Sequence, residues 1–286
     1  MPDAKADPGQ DEEGPRTLQI DLQTSFGRIK GNLAVPPGSV RLSELAWNSM
    51  AIDEKLVGMA VASEARQGRQ VSCTKGCGAC CRQAVPLSPA EAFMIADVVA
   101  SFPPERKQET LRRFAAAKEG LQARGFGDRS LGGTASEGEI LDLGLDYFRL
   151  GIPCPFLEDE SCSIHPSRPS ACREYLVTSP ASNCSEPGVK PIQGVPTAGS
   201  LTEALSKLSA LVLGGEPRVI PMTLALEWAM ENRDAGRERY DAAMLMAALV
   251  DFLGSPDAKN KPGPGNQTGS VAPEADPAAP EAGQAT

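Results

Sequence analysis

The chain has 286 residues, a formal net charge of −9 at pH 7 and only 5% aromatic residues. An acidic chain with few stacking rings and no stripe of Lys and Arg is not built to bind nucleic acid. No signal-peptide succession opens it, and the longest apolar run, Ala242–Leu253, is too short to span a bilayer and contains Asp251, so a cytoplasmic protein without a membrane partner is expected.

Residues 1–16 are rich in Asp, Glu, Gly and Pro and lack the apolar side chains needed to offset the entropy of ordering; they read as a disordered acidic tail. Residues 17–70 read as an N-terminal strand pair and a helix. Thr17–Leu33 alternates in part around Gly27 and Gly31, and Leu42, Leu45, Ala46, Met50, Ile52, Leu56 and Met59 follow helical spacing up to Gly68. Ser88-Pro89-Ala90-Glu91 is a capping box with proline at the first helical position, and predicts a helix to about Ser101. Pro104–Arg124 reads as a mostly solvent-facing helix with Leu111, Phe114, Ala115 and Leu121 as its apolar stripe, and Glu137–Leu150 as another amphipathic helix.

A small hairpin is expected where Phe156–Leu157 and Ser163–Ile164 flank a polar turn, and a helical turn over Ser170–Tyr175. Ser200-Leu-Thr-Glu203 opens a further capped helix, and Pro221–Arg233 and Arg239–Leu253 complete the C-terminal helices over 200–253. Residues 254–286, a run of Pro, Ala, Gly and Glu, read as a second disordered tail. The fold class expected is mainly α with small β-hairpins, organised around a loop-rich cysteine domain over residues 71–190 on which the C-terminal helices pack. Trp47, Trp228 and Met244–Met246 read as core.

The chemistry lies in the cysteines. All eight, Cys73, Cys77, Cys80, Cys81, Cys154, Cys162, Cys172 and Cys184, and the single histidine, His165, fall within one span. Core cysteines sit singly on apolar faces; these sit among Gly, Pro, Ser and Lys, where several sulfurs can converge on a soft metal. In a reducing compartment, metal ligation is a better account than disulfides. Adjacent side chains such as Cys80 and Cys81 point in different directions, so either one stands outside the ligand set or two centres lie close together. Structural zinc favours paired C-x2-C knuckles, of which only Cys77-x2-Cys80 is present. The irregular spacing of the later four cysteines tilts the choice toward an iron–sulfur cluster over zinc. Cys73-x3-Cys77-x2-Cys80 also matches the motif of radical S-adenosylmethionine enzymes, but no run of βα units surrounds it and Ala79 stands where an aromatic is usual. Arg82, Arg168 and Arg173 are candidates to balance thiolate charge or donate to sulfur around the bound group, and His165 is a candidate additional ligand.

Taken together, Cys77-Gly-Ala-Cys80-Cys81-Arg82, Leu87-Ser-Pro-Ala-Glu91, Cys154-Pro-Phe-Leu157, Cys162-Ser-Ile-His165-Pro-Ser-Arg168-Pro169 and Cys172-Arg173 resemble the CxxCxxCC cysteine-cluster family of zinc- or iron-chelating domains. The first gap departs from that pattern, with three residues rather than two. The resemblance implies a bacterial-type metal site. Some members are named flagellin lysine N-methylases, which implies methyl transfer to lysine as one activity, but no Gly-rich nucleotide loop marks a cofactor pocket here. Three functions are compatible with these residues: a metal-stabilised module with a protein partner or protein substrate, a methyl-transfer or redox enzyme, and a metal carrier.

Overall fold

The computed structural model describes residues 16–24, 26–126 and 137–254, so both expected tails fall outside the described residues, apart from Arg16 and Gly254. The protein is mainly α-helical with small antiparallel strand pairs. Strands β1 (Arg16–Thr24) and β2 (Gly27–Val35) form a hairpin running from Arg16 opposite Val35 to Thr24 opposite Gly27. The hydroxyl of Thr24 closes its turn, donating to the Gly27 carbonyl at 2.7 Å and accepting from the Phe26 N–H at 3.2 Å. Ile20, Leu22, Leu33 and Val35 alternate onto the buried face of this hairpin.

After β3 (Ser39–Val40), helix α1 (Leu42–Arg66) buries Leu42, Leu45, Ala46, Met50, Ile52, Leu56 and Ala60. Glu44 accepts from the Arg41 N–H at its start. Gly68, at φ +76°, lets the chain turn away beyond its end, as the sequence predicts. A short β4 (Pro86–Leu87) leads into α2 (Pro89–Ala100), where Ser88 and Glu91 form the expected capping box. Ala90, Ala92, Phe93, Met94, Ile95, Val98 and Val99 are all buried, which makes α2 the central helix, packed by α1 and by two later helices.

Helix α3 (Pro104–Ala123) differs from expectation in its stripe. Thr110, Phe114, Ala117 and Leu121 are buried, while Leu111 is 45% exposed and Ala115 is exposed. A one-residue rotation of the face costs two apolar residues to solvent because Phe114 meets Phe156 edge-on at 5.4 Å and fixes the helix there. Helix α4 (Glu137–Arg149) follows. The predicted hairpin forms with a turn three residues shorter, as β5 (Leu157–Glu158) and β6 (Ser161–Cys162), and the helical turn is α5 (Ser170–Glu174).

Ser200 caps α6 (Leu201–Leu213) by accepting from the Glu203 N–H. The next helix is shorter than its periodicity suggests. Ile220–Pro221 is strand β7, paired with Pro86–Leu87, Met222–Leu224 is a 3-10 turn, and only Ala225–Glu231 is α7. Similarly, Tyr240–Asp241 is strand β8, and α8 (Ala242–Gly254) starts after it. The pairs β3–β8 and β4–β7 tie segments at opposite ends of the sequence. One large core joins α1, α2, α6, α7 and α8 with the hairpin face, and smaller clusters lie beneath α3–α4 and around Cys184. Leu245 and Met246 are core as expected; Trp47 and Met244 are not, being 38% and 45% exposed.

Candidate metal centre

The first cysteine stretch leaves α1 as a loop and ends in a 3-10 turn, Ala79–Arg82. It is clamped on two sides. The Ser72 N–H donates to the Val177 carbonyl at 2.9 Å, and the Cys81 carbonyl accepts from the Cys154 N–H at 2.6 Å. The two cysteine stretches, remote in sequence, are therefore in direct backbone contact. Glycine makes the approach possible: a Cβ on Gly78 would stand 2.5 Å from a Glu160 carboxylate oxygen and 2.8 Å from Leu157 Cδ1. Across that contact Arg82 donates to both oxygens of Glu160, at 3.0 and 2.6 Å, and to the Gly78 carbonyl at 3.0 Å. Glu160 and Asp159 form the turn between β5 and β6 with φ of +56° and +46°, a left-handed pair that side chains rarely adopt and that this clamp holds.

The second stretch is bolted to the helices. Glu91, in the first turn of α2, accepts from the Ser170 N–H at 2.8 Å, which fixes the start of α5 and with it Cys172. Glu174, at the end of α5, accepts from the Leu201 N–H at 2.8 Å at the start of α6. Arg173 spends its donors on the carbonyls of Arg168 (2.8 Å) and Pro166 (2.6 Å) and on Glu54, so it shapes the loop that carries the ligands. Arg168 is different. Its Nε is buried with no hydrogen-bond partner. Its charge bears on Cys73, Cys80, Cys162 and Cys172.

All eight cysteines are free thiols. Burial pushes Cys154 up to about 12, Cys184 up to about 11, and Cys172 well above the ordinary thiol value; Cys73 and Cys162 are raised for the same reason. Cys80 moves the other way, down to about 7, because the Cys81 thiol hydrogen-bonds to it and Arg168 adds positive charge, against the opposing effect of burial. The same hydrogen bond raises Cys81. Thiolate is the form in which sulfur ligates metal.

In donor chemistry the residues fit a soft metal or an iron–sulfur group: free thiols gathered from both stretches, and an orphaned buried guanidinium N–H among them that a thiolate-bound group would satisfy. Among the described residues no three His, Cys, Asp or Glu side chains already stand in an ion-gripping arrangement. His165 is exposed in a 3-10 turn, and Arg168 and Arg173 with Lys75 hold its imidazole below its ordinary value. A cleft of about 540 Å³ opens beside Cys77, lined by Gly78, Arg82, Phe148, Glu160, Ser182 and Ser185 among others.

Sequence reading singles out Glu91 as a capping residue but leaves Asp53 and Glu174, the other buried acids of this region, unmarked. Asp53, Glu91 and Glu174 are 0%, 1% and 7% exposed, and burial pushes Asp53 up to about 7 and Glu174 well up, with the Asp53 charge adding to the rise of Glu174. The available signal was Asp53 itself, a carboxylate on the apolar face of α1 between Met50 and Leu56. Tyr175, whose hydroxyl accepts from Gln83 at 2.9 Å, is a second contact between the stretches that the spacing did not reveal.

Among the described residues no helix is long and apolar enough to cross a membrane. No curated protein and no solved structure matches the chain. Residues 72–189 match the model of the CxxCxxCC family, described as "Putative zinc- or iron-chelating domain". That stretch holds every cysteine, both backbone clamps and Arg168, and it is what the chain shares with that family.

Proposed function

We propose that this protein binds iron or zinc through Cys73, Cys77, Cys80, Cys81, Cys154, Cys162, Cys172 and Cys184, with Arg168 beside the bound group. The observation that carries this reading is the contact between the Cys81 carbonyl and the Cys154 N–H, which brings the two cysteine-bearing stretches together in a family described as metal-chelating. An iron–sulfur cluster is the form favoured by the irregular spacing of the later cysteines, and such a group would supply electron transfer or an iron site with an open position. Arg82 and Arg173 hold the loops, through Glu160 and through the carbonyls of Arg168 and Pro166.

The cleft beside Cys77 favours a centre that meets a small molecule or a protein side chain over one sealed for stability alone. An enzyme with methyl-transfer or redox chemistry and a metal carrier both use such an opening. Anaerobic purification with metal analysis, acid-labile sulfide and a visible spectrum tests the reading. Iron with sulfide and a brown colour is the expected result; a colourless zinc protein changes the group but keeps the site, and a chain that takes up neither metal overturns it.

A further inference from the structure

Cys80 and Cys81 occupy successive positions of a 3-10 turn, where side chains step by about 120°. They leave the backbone toward different surroundings, and those surroundings differ in kind. On one side, Cys77 and Cys184 pack with Ala79, Val177, Ile192 and Tyr175 in a small apolar cluster of their own. Cys73 belongs to that side, because Ser72 before it is bonded through its N–H to the carbonyl of Val177. On the other side, Cys154 and Cys162 pack against the large helical core. Cys81 belongs there through its carbonyl, which holds the Cys154 N–H. Cys172 is fixed to the same core through α5 and Glu91.

We propose that the eight cysteines form two neighbouring four-sulfur centres, one from Cys73, Cys77, Cys80 and Cys184 and the other from Cys81, Cys154, Cys162 and Cys172, with the adjacent pair dealt one to each. This rests on the metal-binding reading above and deepens it.

Cys80 stands at the seam, next to Cys81 in the same 3-10 turn. Arg168 lies in the loop between Cys162 and Cys172, with its Nε buried and without a hydrogen-bond partner. Four thiolates around a divalent ion carry net negative charge, and two such centres side by side repel. The guanidinium of Arg168, with its Nε buried and unpartnered, is a counter-charge available to that arrangement.

The test is a Co²⁺ titration of the metal-free full-length chain under anaerobic, reducing conditions, following the thiolate-to-cobalt charge-transfer and tetrahedral bands. Two equivalents at saturation support the proposal. Saturation at one equivalent overturns it while leaving metal binding by the cysteines intact, and no thiolate–cobalt band at all overturns both. Cys184→Ser and Cys172→Ser supply the second arm: each is expected to keep half of the wild-type cobalt, and together to keep none. If either single change abolishes all binding in a chain whose far-UV dichroism is unchanged, the two-centre division fails. If a variant does not fold, the wild-type saturation point decides.

Discussion

Arg168 is the side chain on which most of the cysteine chemistry converges. Its Nε has no partner while four thiols lie within reach of its charge, so it is placed to act on the bound group rather than on the fold. Arg168→Gln is expected to leave the melting temperature of the metal-free chain within a few degrees and to weaken metal retention. A hydrogen bond to a charged group is worth roughly 1.5–3 kcal/mol, so release to a competing chelator should quicken by about ten- to a hundredfold. Unchanged release would remove Arg168 from the site. Gly78→Ala tests the contact between stretches: its Cβ meets Glu160 and Leu157, and the loops must part to admit it. That variant is expected to lose metal faster and to show proteolysis near the Ala79–Arg82 turn, with the helical signal retained.

At the scale of elements, α5 transmits the order of the helices to Cys172. The Glu91 carboxylate accepts four hydrogen bonds, from the N–H and hydroxyl of Ser88, the N–H of Ser170 and the hydroxyl of Thr202. Glu91→Ala strands those buried donors and is expected to cost on the order of 3 kcal/mol or more in a denaturant titration. A loss below about 1 kcal/mol would mean that α2 and α5 are held otherwise. Elements also show what sequence reading reaches. The starts of α2 and α6 were legible because Ser88–Glu91 and Ser200–Glu203 cap locally, and α1 because its apolar residues repeat over many turns. The face of α3 was misplaced, since Leu111 and Ala115 fit the helical period as well as Ala117 does and only the tertiary contact of Phe114 with Phe156 selects between them. The pairs β3–β8 and β4–β7 were invisible: two residues carry no periodicity, and the partners, such as Ser39 and Asp241, lie far apart in the sequence. For the site, the residue types were legible from their crowding in one span. Which sulfurs neighbour which was not, because it depends on two backbone contacts between distant segments.

Across the whole molecule, stability is tied to pH through the buried acids. Burial raises Asp53 above its ordinary value, so the folded chain holds a proton there that the unfolded chain has released. This contribution is fully present below the unfolded value near 3.8 and is lost as pH rises toward about 7. Asp53→Asn keeps the shape and removes the charge. It is expected to raise the melting temperature at pH 8 relative to wild type, with the gain shrinking as pH falls toward 5; a constant gain would locate the effect elsewhere. Removal of metal should act regionally. The large core contains α1, α2, α6, α7 and α8 and needs no ion to bury its apolar surface, whereas the cluster of Ala79, Val177, Cys184 and Ile192 is small and built on the cysteine loops. A chelated sample is expected to keep most of its helical dichroism and to lose amide protection chiefly across 72–84 and 177–195.

The opening beside Cys77 makes the two halves of the cysteine region unequal toward dissolved oxidants. Cys77 borders it directly and Cys73 is exposed, while Cys154 and Cys162 lie against the helices. Air should therefore reach one set of sulfurs well before the other. A sample aged in oxygen and alkylated afterwards should show Cys73 and Cys77 modified first by mass spectrometry, with the thiols on the helical side still reduced.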